Sequence, residues 1–227
     1  MTTSIIGKEE LESAASVVKK FLAPTPLVRS AMLSDELKTP VYLKLESLQP
    51  THSFKVRGAL NAISSLTEEV RKRGIVTASG GNHGLGVTLA CNLLGTTARV
   101  YLPVKTPELK VNALKKLGAE VLMEGEAWDE ANRKALSDAE NRGLTYIHPF
   151  NDSKVMAGQG TIVTEILAQG LAPDLMVASI GGGGLISGII SAVSHFCPTT
   201  RVAGVETEGA DCMRRSVQAN EIIELDS

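Results

Sequence analysis

Ile75-Val76-Thr77-Ala78-Ser79-Gly80-Gly81-Asn82-His83-Gly84 is the stretch that decides the fold class. A short β-branched, apolar run passes through a pair of glycines into helical periodicity that extends to residue 94, so a strand feeds a helix through a tight turn. The alternation repeats downstream. Residues 98–102 read as a strand before a helix over 108–117, residues 120–123 as a strand before a helix over 128–142, and residues 145–148 as a fourth strand. Gly95, Gly118 and Gly143 stand where these helices should end, the position that favours a left-handed C-terminal residue. Strands separated by helices pair in parallel, because a parallel connection needs a crossover. The expectation is an α/β protein with an open, mostly parallel sheet flanked by helices.

On the C-terminal side a second α/β unit follows: a helix over 158–169, a strand over 175–180, a helix over 185–195 and a strand over 202–206. On the N-terminal side, residues 8–21 carry apolar residues at helical spacing and stop before Pro24 and Pro26. Residues 41–46 read as a strand, and residues 55–65 as a helix with Ser53 as its N-cap. The two ends are therefore expected to share one large domain, residues 1–66 and 150–227, around a smaller one at 67–149, giving two open, mostly parallel sheets in all. A ligand belongs in the cleft between them, at the carboxyl ends of the strands.

Three segments carry chemistry. Thr51-His52-Ser53-Phe54-Lys55-Val56-Arg57-Gly58-Ala59 places a lysine at a helix start, and burial lowers a lysine's pKa enough to make it an imine-forming nucleophile. Ser79 to Gly84, and the run Gly181-Gly182-Gly183-Gly184 before Leu185, each put backbone N–H groups at a helix N-terminus, where they hold an anion. The bland alternatives are a surface lysine, an Asn82 that only caps its helix, and a flexible turn. Four glycines between a buried strand and an apolar helix are entropically costly for a mere turn.

These segments belong to an ordered set: Thr25-Pro-Leu, Leu43-Lys-Leu-Glu46, His52-Ser-Phe-Lys55, Gly81-Asn-His-Gly84, Ala157-Gly-Gln-Gly-Thr161 and Gly181-Gly-Gly-Gly-Leu185. The set resembles the fold type II pyridoxal-phosphate enzymes, in particular the serine/threonine dehydratase (ammonia-lyase) and serine racemase group. The resemblance implies a tryptophan synthase beta-like fold and pyridoxal 5'-phosphate held by Lys55 as Schiff base and catalytic base. It implies that Phe54 packs on the cofactor ring, that Asn82 bonds its phenolic oxygen, and that Gly181 to Gly184 with Leu185 grip its phosphate. Ser79, Gly81, Asn82 and the His83 backbone would hold the carboxylate of an amino-acid substrate. Where racemases of this group carry an acid/base serine, this chain has Gly80, which favours dehydration of L-serine or L-threonine to an oxo acid and ammonia. Racemisation, 3-hydroxyaspartate dehydration and a truncated, non-catalytic relative are the rival readings.

Glu206 and the carbonyl of Ala210 lie where metal-activated relatives bind Mg2+ or Ca2+, but Cys212 stands at the second carboxylate position and Asp211 one residue early. Relatives continue past Glu224-Leu-Asp-Ser227, so the large domain is expected to be incomplete at its C-terminus. The resemblance also implies a homodimer.

Composition removes other function classes. The net charge of -2 attracts neither nucleic acid nor anionic membrane, and one Trp, three Tyr and four Phe make no stacking platform. The first residues, Met1 to Gly7, lack a signal-peptide pattern, which makes a cytoplasmic location the default expectation. Cys91, Cys197 and Cys212 are too scattered for a zinc site or a disulfide framework.

Overall fold

The computed structural model describes residues 6–223. The expectations about a leader, on Met1 to Gly7, and about an abrupt end, on Glu224 to Ser227, therefore fall largely outside the described residues. The chain runs α1 (Lys8–Phe21), β1 (Leu27–Arg29), α2 (Ala31–Leu37), β2 (Tyr42–Lys44), α3 (Lys55–Ser64), α4 (Glu68–Arg73), β3 (Ile75–Ala78), α5 (Asn82–Leu93) and β4 (Ala98–Leu102). It continues through α6 (Glu108–Lys116), β5 (Glu120–Met123), α7 (Trp128–Arg142), β6 (Thr145–Tyr146), α8 (Ser153–Ala168), β7 (Leu175–Ser179), α9 (Gly184–Phe196), β8 (Arg201–Val205) and α10 (Cys212–Ala219).

The anticipated parallel sheet is present, in the order β5-β4-β3-β6. β3 pairs with β4 from Ile75 opposite Ala98 to Ala78 opposite Tyr101, and with β6 at Ile75 opposite Thr145. All four β3 residues are buried, as a strand covered on both faces requires. The other strands form two smaller sheets, an antiparallel β1-β2 pair and a parallel β7-β8 pair. Val177 and Val205 are more than half exposed, so the β7-β8 face is open where β3 is closed.

Between the sheets lies a stack of helices whose glycines set the spacing. A Cβ on Gly58 would fall 2.7 Å from the Val155 carbonyl oxygen, and one on Gly158 would fall 2.5 Å from the Arg57 carbonyl oxygen, so α3 and α8 cross nearly backbone to backbone. Through these crossings the first turn of α3 is fixed against α5, α8 and α1. One apolar core joins α1, α3, α5 and the central sheet, and a second joins α1, α8 and α9. The N-terminal helix α1 thus packs on α8 and α9, far downstream in sequence.

Among the boundaries that differ from the sequence reading, two helix starts have a clear local cause. α8 begins at Ser153, because the Asp152 carboxylate accepts from the amides of Lys154 and Val155 and supplies an N-cap that apolar periodicity does not reveal. Ser53 is not the N-cap of α3. Phe54 holds that position, and the Ser53 hydroxyl only approaches the Lys55 amide at 3.4 Å.

Candidate cofactor site

Lys55 opens α3 and is half-buried. Its Nζ donates to the carbonyl of Pro149 at 2.8 Å and lies 5.4 Å from the centre of the Phe54 ring. Loss of hydration without an acidic partner pushes its pKa below the ordinary lysine value. Desolvation of this kind disfavours the charged ammonium relative to the neutral amine.

The loop after β3 reaches the same place from the other sheet. The Ser79 hydroxyl accepts from the Gly81 amide at 3.3 Å and folds the turn, and Gly81, not Asn82, is the N-cap of α5. Asn82 is exposed and its side chain bonds to none of the described residues, so it does not serve as a cap and is free to meet a ligand. His83 is buried, its Nε2 sits 3.0 Å from the carbonyl oxygen of Ile147, and its Nδ1 has no partner among the described residues. Burial pushes its pKa down to about 3, so the ring is neutral and donates to Ile147 through Nε2.

The glycine run forms the start of α9, with Gly183 as N-cap in the left-handed region at a φ of 84°. A Cβ on Gly182 would fall 2.4 Å from the Phe150 ring, and one on Gly184 would fall 2.9 Å from Phe150 Cα, so these two glycines are closed by the protein itself. Gly181 is different: a Cβ there would meet nothing within 4 Å. An open glycine beside the free amides of a helix N-terminus fits the approach of a phosphate. Leu185, by contrast, packs its side chain against the second core and offers only its amide.

The strap Ile147-His148-Pro149-Phe150 touches all three segments in successive residues: His83 at Ile147, Lys55 at Pro149, and Gly182 with Gly184 at Phe150. Lys55, His83 and Gly182, separated by 28 and 99 residues in sequence, thus converge on one strand end. A family model described as pyridoxal-phosphate dependent enzyme matches residues 18–227. The chain belongs to that family.

An L-threonine ammonia-lyase of Thermotoga maritima is 42% identical over 214 residues, which are 94% of this chain and 53% of the relative. A catabolic L-threonine dehydratase of Staphylococcus aureus is 40% identical over 224 residues, covering 98% of this chain and 65% of the relative. The chain thus spans between half and two thirds of the length of these relatives. Among solved structures, threonine deaminase isoform 2 from Solanum lycopersicum superposes with a TM-score of 0.93 at 38% identity, over 96% of this chain and 61% of that one. Maize serine racemase superposes with a TM-score of 0.94 at 32% identity, over 98% and 68% respectively. The residues of the cleft fit the cofactor the family takes: a half-buried lysine of lowered pKa stands one strap residue away from a glycine cradle with an open approach.

Two parts of the site were not legible in the sequence. Arg57, two residues beyond Lys55, is fully buried and holds both Glu46 and Glu165: Nε reaches Glu46 at 2.7 Å and Nη1 reaches Glu165 at 2.6 Å. Lys44 adds a 2.9 Å ion pair to Glu165, and the Thr25 hydroxyl donates to Glu46 at 2.6 Å. The motifs around Thr25, Lys44, Glu46 and Thr161 are therefore one buried network that fixes α3. The second part is the strap, whose His148 and Phe150 carry no motif signal.

The residues of the anticipated Mg2+ or Ca2+ site lie at the start of α10. The Glu206 carboxylate accepts from the amides of Met213 at 2.9 Å and Arg214 at 2.8 Å, and so holds the start of α10. Asp211 pairs with Arg214 and Arg215. Near Ala210, as elsewhere among the described residues, no three His, Cys, Asp or Glu side chains gather as a metal would need. Among the described residues, no helix is long and apolar enough to cross a membrane.

Proposed function

We propose that this chain carries the cofactor-holding part of an ammonia-lyase that converts L-serine or L-threonine to an oxo acid and ammonia. The observation that supports the reading is the strap, on which Lys55, His83, Gly182 and Gly184 converge. When bound, pyridoxal phosphate supplies an electron sink for the carbanion at the substrate's α-carbon. Lys55 would link to it and, once displaced by the substrate amine, take the α-proton at Nζ. Asn82 would hold the cofactor's phenolic oxygen and Phe54 would pack on its ring. The amides of Gly181 to Gly184 and Leu185 would hold its phosphate, and Ser79, Gly81, Asn82 and the His83 backbone would hold the substrate carboxylate. In this reading residues 1–66 and 150–227 form the large domain, residues 67–149 the small one, and the protein acts as a homodimer in the cytoplasm.

The close superposition on a serine racemase favours amino-acid racemisation as the second reading. Gly80 separates the two, because it offers no group to protonate the opposite face of the substrate. A Cβ placed there would sit 3.3 Å from Leu102 Cδ2 and from Thr106 Cγ2, so a serine fits after shifts of a few tenths of an ångström. With L-serine, pyruvate should far exceed D-serine, and Gly80→Ser should raise the D-serine share. Abundant D-serine from the unaltered protein would overturn the lyase reading.

A further inference from the structure

His148 has no place in the reading above, yet it lies at the centre of the strap. Its Nδ1 accepts from the amide of Asn151 at 2.8 Å and from that of Phe150 at 3.2 Å, and two backbone donors on one ring nitrogen fold residues 148–151 into a closed turn. Its ring stands edge-on to Phe150, with centroids 4.6 Å apart at 89°, and edge-on to Tyr146 at 6.1 Å. The turn delivers the Pro149 carbonyl to Lys55, the Phe150 ring to Gly182 and the Phe150 main chain to Gly184.

We propose that His148 is a positioning residue of the site, whose neutral Nδ1 latches the strap so that Pro149 holds the Lys55 amine while Phe150 holds the glycine cradle. The inference deepens the proposed function and rests on its reading of this cleft as the cofactor site. The latch needs an acceptor at Nδ1, which requires a neutral ring carrying its hydrogen on Nε2. The charged groups that face the ring are Lys55, which opposes its protonation, and Asp152, which favours it; the His83 ring is a further neighbour and Tyr146 packs alongside. Partial burial, the largest influence, lowers the pKa of His148 below the ordinary histidine value. The latch is thus closed at neutral pH and opens in acid, when protonation turns Nδ1 from acceptor to donor.

Two readouts on the intact chain test this. Hydrogen exchange at the Phe150 and Asn151 amides, corrected for intrinsic rates, reports the latch. Trapping of added pyridoxal phosphate on Lys55 by borohydride, mapped by peptide mass, reports its effect on the lysine. His148→Leu should speed exchange at both amides about tenfold, the scale of losing one or two hydrogen bonds, and should lower the trapped fraction several-fold. His148→Asn, which keeps an oxygen near the Nδ1 position, should restore both. The unaltered protein should lose protection at these amides only as the pH falls below the ordinary histidine value. Equal exchange in the Leu variant overturns the latch, and so does an Asn variant as defective as Leu. Faster exchange with undiminished trapping overturns the coupling to Lys55. If the unaltered protein traps no pyridoxal phosphate on Lys55, the cofactor reading fails, and the exchange comparison alone then decides the latch.

Discussion

Lys55 and Arg57 are two cations two residues apart on one helix, and their surroundings make them opposites. Lys55 is half-buried, faces a single backbone carbonyl and no carboxylate, and its pKa is lowered. Arg57 is fully buried, faces Glu46 and Glu165 together with the Thr161 hydroxyl, and its pKa is raised. Desolvation acts on both. With two carboxylates in reach it is outweighed and produces a permanent structural cation; without one it produces an amine poised for chemistry. Reactivity on this helix is set by what is withheld from Lys55 as much as by what surrounds it.

The largest effect should come from removing the reactive member of the pair. Lys55→Ala should abolish both turnover and the borohydride-sensitive visible absorbance that pyridoxal phosphate gives with the unaltered protein; a persistent band would show another lysine at work. Lys55 should also leave a mark on stability. Its folded-state pKa is lowered, so the unfolded chain binds more protons in the window between that lowered value and the ordinary lysine value. Stability should therefore rise with pH through that window, and in urea titrations Lys55→Met should flatten the slope and be the more stable protein at neutral pH.

Breaking the other member should cost the fold. Arg57→Met leaves the Glu46 and Glu165 carboxylates without their buried partner, a loss of about 3–5 kcal/mol in urea unfolding. Arg57→Lys should recover little of it, since one ammonium cannot span both carboxylates. If the lysine variant were fully stable, the network would be a spectator.

A smaller effect sharpens the contrast between open and closed glycines. Gly181→Ala meets no protein atom within 4 Å, so it should leave unfolding unchanged while weakening pyridoxal-phosphate binding by about tenfold, the worth of one or two displaced amide contacts. Gly182→Val should instead destabilise the fold, because its side chain would enter the Phe150 ring. Unaltered cofactor affinity in Gly181→Ala would make the run a packing device only.

Smallest is Asn82→Ala, which removes one hydrogen bond to a ligand, worth about 0.5–1.5 kcal/mol, and none to the protein. It should retain the cofactor and lose catalytic efficiency in steady-state kinetics. A drop in folding stability would mean that Asn82 serves its helix instead.

The sequence by itself determined the repeating part of the molecule. Strands at Ala98–Leu102 and Glu120–Met123 and the helix Trp128–Arg142 lie where periodicity and C-terminal glycines place them, because those signals are local and survive without knowledge of neighbours. It also singled out the three segments that the fold brings together on residues 147–150. Tertiary structure decided the rest. The three-residue strand Leu27–Arg29 is too short for any period to register and exists through its pairing with Tyr42–Lys44. Only the fold shows that Glu206 holds a helix start, and that Gly182 answers to Phe150 while Gly181 does not. Above all, whether a cation is paired or left alone depends on residues 100 positions away, as Arg57 meets Glu165 and Lys55 meets only a carbonyl. Charge is written in the sequence, whereas desolvation and partnership are properties of packing.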